Sequence, residues 1–138
     1  MHKTGAILIF LVLPKSNDMA DHNELGKKGE RLAVEYLRRQ GLRIRETNWR
    51  YGRNEIDIIA EDEDCLVIIE VKTRESAFYG KPESFVNKAK QQLLIRGANA
   101  YIRGHNIISE TRFDIVSVIL SKGKHQVNHI LDAFYPVI

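Results

Sequence analysis

A single cysteine, Cys65, stands in the 138 residues. That excludes an internal disulfide framework and a cysteine-rich zinc site, and it fits a reducing compartment, the cytoplasm. The thiol itself is expected to be inert. Long hydrophobic runs are missing as well. The most apolar stretch, residues 5–13, falls far short of the ~20 residues of a membrane span, so no membrane partner is expected. It resembles a signal-peptide core, yet Lys15 and Asp18 follow closely and no small-x-small cleavage site precedes Ala20. A translation start at Met19 explains the segment equally well. Residues 1–20 are therefore read as an N-terminal extension outside the fold, and residues 21–138 as one domain, long enough for a single core and too short for two. Internal repeats and low-complexity tracts are absent too.

What is present is unevenly charged. The net charge is only +3, but residues 24–53 hold nine Lys/Arg against four Glu, while residues 55–64 hold six acids and no base. A basic region beside an acidic one suits a protein that binds a polyanion around an acidic metal site. A solvated helix face accounts for the basic residues equally well.

The acidic segment reads as a β-hairpin. Two β-branched runs, residues 55–60 and 66–73, flank the charged tetrad Glu61, Asp62, Glu63 and Asp64. Strand alternation puts Glu55, Asp57 and Ile59 on one face and Ile56, Ile58 and Ala60 on the other. On the second strand Leu66, Ile68, Glu70 and Lys72 share a face. A loop over residues 62–65 sets Ile59 across from Ile68, Asp57 across from Glu70 and Glu55 across from Lys72. Like charges directly opposed across strands are destabilising. A hard divalent cation such as Mg²⁺, which binds through one or two carboxylates plus water and substrate phosphate, turns that repulsion into coordination. The plainer alternative is a solvated surface hairpin with a Glu55–Lys72 cross-strand ion pair.

Around the hairpin the pattern is α-β-β-β-α-β with a further edge strand, an α/β class with a mixed sheet. Residues 24–40 carry Leu25, Leu32, Ala33, Tyr36 and Leu37 at helical spacing, with Asn23 or Asp21 as N-cap and Gly41 as a stop. Glu30 falls on the flank of the buried arc. Gly26 and Gly29, in the first part of that helix, suggest close approach of another backbone or of substrate. A strand over residues 42–51 follows. After the hairpin come a loop with Phe78, Tyr79, Gly80 and Pro82, and then a helix over residues 83–103 ended by Gly104, with Gln91 at the edge of its apolar face. A strand over residues 112–120, apolar after Asp114 and hence interior, precedes an edge strand at residues 126–134.

The combination of Gly26-x-x-Gly29-Glu30, Glu55-Ile-Asp57, Glu70-Val-Lys72 and Lys90-Gln91, spread in this order from about Leu25 to Phe134, resembles the YraN-like (UPF0102) family. That family's fold is related to the PD-(D/E)xK nucleases and to archaeal Holliday-junction resolvases. Asn54, where Gly is common, and Gly97, where Ala is usual, depart from the pattern without touching these residues. The resemblance implies a restriction-endonuclease-like core and an endonuclease acting on DNA, with branched or junction DNA as candidate substrate and Mg²⁺ or Mn²⁺ as cofactor. Asp57 and Glu70 fall on the metal ligands, Lys72 on the signature lysine, Glu30 on an additional helix-borne acid and Gln91 on the polar residue of the following helix. Arg45, Arg50, Arg53 and Arg74 are candidates for phosphate contacts. A homodimer is a further expectation. The rival expectation is a nucleic-acid-binding module that keeps the nuclease-like fold without activity.

Overall fold

The computed structural model describes residues 15–75 and 86–136, with side chains from His22 onward. Its elements are α1 Lys15–Arg39, β1 Arg43–Tyr51, β2 Asn54–Asp62, β3 Cys65–Arg74, α2 Lys88–Gly104, β4 Glu110–Ser121 and β5 Lys124–Phe134, in the expected order. The helix α1 starts at Lys15 and passes through Asp21 and Asn23, so neither residue caps it. No Gly or Pro interrupts residues 15–24, and nothing in that stretch stops the helix from propagating. The boundary drawn at residue 20 therefore falls inside α1. At the other end Gly41 takes φ +94°, and Leu42 N–H donates to the Leu37 carbonyl at 3.0 Å, a left-handed stop of the kind glycine permits. The second helix begins later than residue 83, because Asn87 caps it by accepting the Lys90 N–H at 2.9 Å. From residue 76 the aromatic loop, like residues 83–85, lies outside the described residues. Among the described residues no helix is long and apolar enough to cross a membrane.

The five strands form one sheet in the order β1-β2-β3-β4-β5, antiparallel except for the parallel β3–β4 pair that α2 connects. Parallel neighbours require such a crossover. This mixed sheet with its two helices is the α/β arrangement of a nuclease-like core. Alternate residues of β3 enter opposite cores. Leu66 and Ile68 pack with Leu94, Ala98 and Tyr101 of α2, while Val67 and Ile69 pack with Ala33 and Leu37 of α1. The helices thus cover opposite faces of the sheet.

Strand β2 does not alternate cleanly. Ile58 and Ala60 join the α1 core, as alternation demands, but Ile56 joins the α2 core. Residues of equal parity on opposite faces mean that the strand turns over at the residue between them, Asp57. On β1 the residue beside that point, Asn48, sits at φ +51°, a left-handed conformation that Asn tolerates better than most residues.

A buried polar cluster ties the far end of the sheet together. Asp114, 1% exposed, accepts from Arg112 Nε (3.0 Å) and the Asp132 N–H (3.0 Å) and lies 2.7 Å from His129 Nε2. Arg112 also reaches Asp62 at 2.9 Å, which links β2, β4 and β5. Burial opposes ionisation of Asp114, but the hydrogen bonds from His129, Arg112 and the Asp132 amide outweigh it and lower its pKa. Residue periodicity carries no signal for this cluster.

The two helix glycines differ. A Cβ on Gly29 would stand 1.9 Å from Thr73 Oγ1 and 2.8 Å from Thr73 Cβ, whereas one on Gly26 would meet nothing within 4 Å among the described residues. Close approach is thus real at Gly29, against β3, and absent at Gly26. Gly29→Ala is expected to cost about 1–3 kcal/mol by overpacking, while Gly26→Ala is expected to gain up to ~1 kcal/mol in helix propensity. Urea denaturation of both variants checks the contrast.

Candidate functional site

The hairpin register is the expected one as far as it runs: Asp62 pairs with Cys65, Ile59 with Ile68 and Ile58 with Ile69. The ladder then ends. At the next position Asp57 accepts the backbone N–H of Val71 through Oδ2 at 2.8 Å, so a side chain takes the place of a strand partner. The two strands part there, while β3 stays paired with β4 through Arg74.

Asp57 and Glu70 meet at this split. Glu70 is 5% exposed, and its Oε1 is buried with no N–H or O–H donor beside it among the described residues. The Asp57 carboxyl is pushed up to about 8: burial is the largest cause, then the charge of Glu70, with the Val71 amide pulling the other way, and then the charge of Glu30 and a proton shared with Glu70. Two ammonium groups attend the other Glu70 oxygen, Oε2, namely Lys72 Nζ at 3.7 Å and Lys90 Nζ at 3.6 Å. Lys90 comes from the first turn of α2. The chain thus gathers two carboxylates that repel each other and two cations that offset only one of them.

The Glu55–Lys72 ion pair of the plainer alternative is not formed. Glu55 instead meets Arg50 at 3.6 Å and accepts from Asn48 Nδ2 at 3.2 Å. The same Asn48 nitrogen donates to Glu30 at 3.0 Å. Asn48 therefore bridges the helix-borne acid to the strand-borne one, beside the turn-over at Asp57. Gln91 does not hold Lys72: its Nε2 donates to the Val86 carbonyl at 3.0 Å and so secures the start of α2. Arg45 is occupied elsewhere, with Nε donating to Tyr101 Oη at 2.8 Å, Nη1 bound to Glu61 and the guanidinium 5.4 Å from the Tyr101 ring centre. Arg50 and Arg53 are exposed near the β1–β2 turn, and Arg74 is half-buried at the end of β3. Cys65 is half-buried and its pKa is raised, chiefly by burial.

Asn48 and Lys90 are site residues that sequence reasoning missed. The signal for Asn48 was an Asn inside a strand-like run, where a left-handed residue interrupts alternation. Lys90 adjoins Gln91, and helix periodicity did not reveal that the first turn of α2 faces Glu70.

A groove of about 490 Å³ opens on the α1 face, with Glu30, Asn48, Thr47 and Asp57 among its lining residues. The fit of a divalent cation follows from the donors. Among the described residues no group of three or more His, Cys, Asp or Glu is placed to hold a metal, so no closed protein cage is present. Mg²⁺ ordinarily keeps several waters and takes one or two carboxylates plus substrate phosphate, and an orphaned Glu70 Oε1 next to an electrostatically strained Asp57 meets that lesser requirement.

The raised Asp57 pKa fixes a pH dependence. The folded state binds a proton more tightly than the unfolded chain, whose Asp titrates near ~4, so this group lowers stability progressively as pH rises from ~4 to about 8. Asp57→Asn is expected to raise the melting temperature in chelator at pH 9 and to converge with the parent near pH 4. Thermal melts across that range check it, and a pH-independent difference would contradict it.

Comparison with known proteins identifies the family. Residues 29–118 match the family model described as Uncharacterised protein family UPF0102. A UPF0102 protein of Flavobacterium psychrophilum is 49% identical over 117 residues, covering 85% of this chain and 98% of its own. One from Bacteroides thetaiotaomicron is 48% identical over 118 residues, covering 86% and 98%. With the match running from Gly29 on α1 to Val118 on β4, and so across the split that holds Asp57 and Glu70, the chain belongs to the UPF0102 family.

Proposed function

We propose that this protein is a metal-dependent endodeoxyribonuclease, with branched or junction DNA as its candidate substrate. The observation that carries the reading is the half-buried Asp57 set against the buried Glu70 at the end of the β2–β3 ladder, where one Glu70 oxygen has no donor among the described residues. Maintaining that repulsion weakens the apo fold, and a carboxyl in a groove wall whose pKa is raised by burial and a charged neighbour, as that of Asp57 is, is the usual mark of a functional site.

In this reading Asp57 and Glu70 hold Mg²⁺ or Mn²⁺, which when bound polarises the scissile phosphate and lowers the pKa of a water. Lys72, 3.7 Å from Glu70, supplies positive charge to the phosphate oxygens as negative charge develops on them. Lys90, at a similar distance, holds Glu70 in place. Glu30, fixed by Asn48, faces the groove and accepts a hydrogen bond from the attacking water. Gln91 acts at one remove, by holding the start of α2 and therefore Lys90. Arg50 and Arg53 are exposed at the hairpin end for phosphate contacts, and Arg74 closes β3. The binding-module alternative shares every contact except the chemistry.

Single-turnover cleavage of a labelled four-way junction separates the two. The parent is expected to cut with Mg²⁺ or Mn²⁺, Asp57→Asn and Glu70→Gln to lose cutting, and Lys72→Met to slow it by ~10² or more with little change in junction affinity. Because Lys90 still pairs with Glu70, Lys72→Met is expected to cost no more than ~1 kcal/mol in stability. A parent that shifts the junction in a gel and never cuts it would establish the binding module instead.

A further inference from the structure

The charges of α1 are not equivalent. Lys27 pairs with Glu24 at 4.0 Å and Arg39 with Glu35 at 3.9 Å, both along the helix surface. Arg31 and Arg38 are exposed and, among the described residues, form no side-chain ion pair or hydrogen bond. Both line the groove that contains Asp57, and Lys27 lines it with them. Arginines without partners along the wall of a groove are available to an anion.

Their spacing identifies the kind of anion. Arg31 and Arg38 are seven residues apart, about 10 Å along the helix, and Lys27 extends the row to about 16 Å. A single phosphate or a mononucleotide cannot span that row, whereas a sugar-phosphate chain can. The groove beside the row has a volume of about 490 Å³, and Glu30, Glu35 and Asp57 line it together with the three basic residues. A duplex, with grooves ~6 and ~12 Å wide between its strands, is too broad to descend into such a space. A single strand tracked by a basic groove is not.

We infer that the Lys27–Arg31–Arg38 face of α1 binds the backbone of an unpaired nucleic-acid strand and leads it past Asn48 to Asp57. This rests on the reading of Asp57 and Glu70 as a phosphodiester-cleaving pair only for what becomes of the strand. The binding itself needs no metal. The inference places the phosphate contacts on α1, in contrast to Arg45, whose donors are taken by Tyr101 and Glu61. It also narrows the substrate to DNA with an unpaired segment next to the point of cleavage.

The test is fluorescence anisotropy in EDTA with a labelled oligothymidylate and with a duplex of equal length, over a series of salt concentrations. The parent is expected to prefer the single strand. Arg31→Ala/Arg38→Ala is expected to weaken that binding ~10-fold or more and to flatten the slope of log affinity on log salt by ~1.4, two contacts at ~0.7 each. Arg31→Lys/Arg38→Lys is expected to keep most of the slope, and a melt confirms that each variant is folded. Unchanged affinity and slope in the alanine variant, tighter binding of duplex, or no binding by the parent would each overturn the inference. A cleavage assay run beside it separates the two claims: a parent that binds the single strand in EDTA with the expected salt slope and never cuts DNA with Mg²⁺ upholds this inference while the nuclease reading falls.

Discussion

The structure turns on one hydrogen bond, from the Val71 backbone N–H to the Asp57 carboxylate. Where that bond forms, the β2–β3 ladder stops, β2 turns over, and a carboxylate is drawn between two strands toward a second one. Setting a half-buried carboxylate beside a buried one is among the costlier arrangements a small domain can carry. The surrounding contacts offset it incompletely. Lys72 and Lys90 attend one oxygen of Glu70 and, among the described residues, the other is left without a donor. The residual instability is concentrated at the opening of a groove, where a cation and a phosphate can relieve it.

The rest of the fold holds that arrangement still. Gly29 lets α1 approach β3 close enough to touch Thr73, one residue beyond Lys72. Asn48, in a left-handed conformation, ties Glu30 of α1 to Glu55 of β2 with a single amide nitrogen. Asn87 caps α2 and Gln91 binds the Val86 carbonyl, and together they fix the turn from which Lys90 reaches Glu70. At the opposite end the satisfied Asp114 cluster shows the contrasting solution, a buried carboxylate whose hydrogen bonds lower its pKa. One carboxylate stabilises the sheet and the other is held at a cost.

Much of this was legible from residue order. The α-β-β-β-α-β-β arrangement, the interior β4 and the hairpin register through Ile59 and Ile68 follow from β-branched runs, alternation and loop length, which are local signals. What alternation could not show was where it fails. The rule placed Ile56 with Ile58, and the turn-over at Asp57 parted them, because a side-chain hydrogen bond to Val71 outweighed the regular ladder. The Glu55–Lys72 pair went unformed for the same reason, since it presumed that the ladder continued. The start of α1 was misplaced because Asp21 and Asn23 are good caps that are equally tolerated within a helix already under way. Lys90 and the Asp114 cluster depend on contacts between elements distant in sequence, on which periodicity is silent.

The central claim is that Asp57 and Glu70 form a repelling pair that a divalent cation relieves. Carboxyl ¹³C NMR of Asp57, titrated with and without Mg²⁺, tests it most directly. The account predicts that Asp57 titrates near about 8 in the metal-free protein and falls toward or below the ordinary carboxylate value of ~4 when Mg²⁺ is present. An Asp57 that titrates near ~4 without metal, or whose titration Mg²⁺ leaves unmoved, would contradict it.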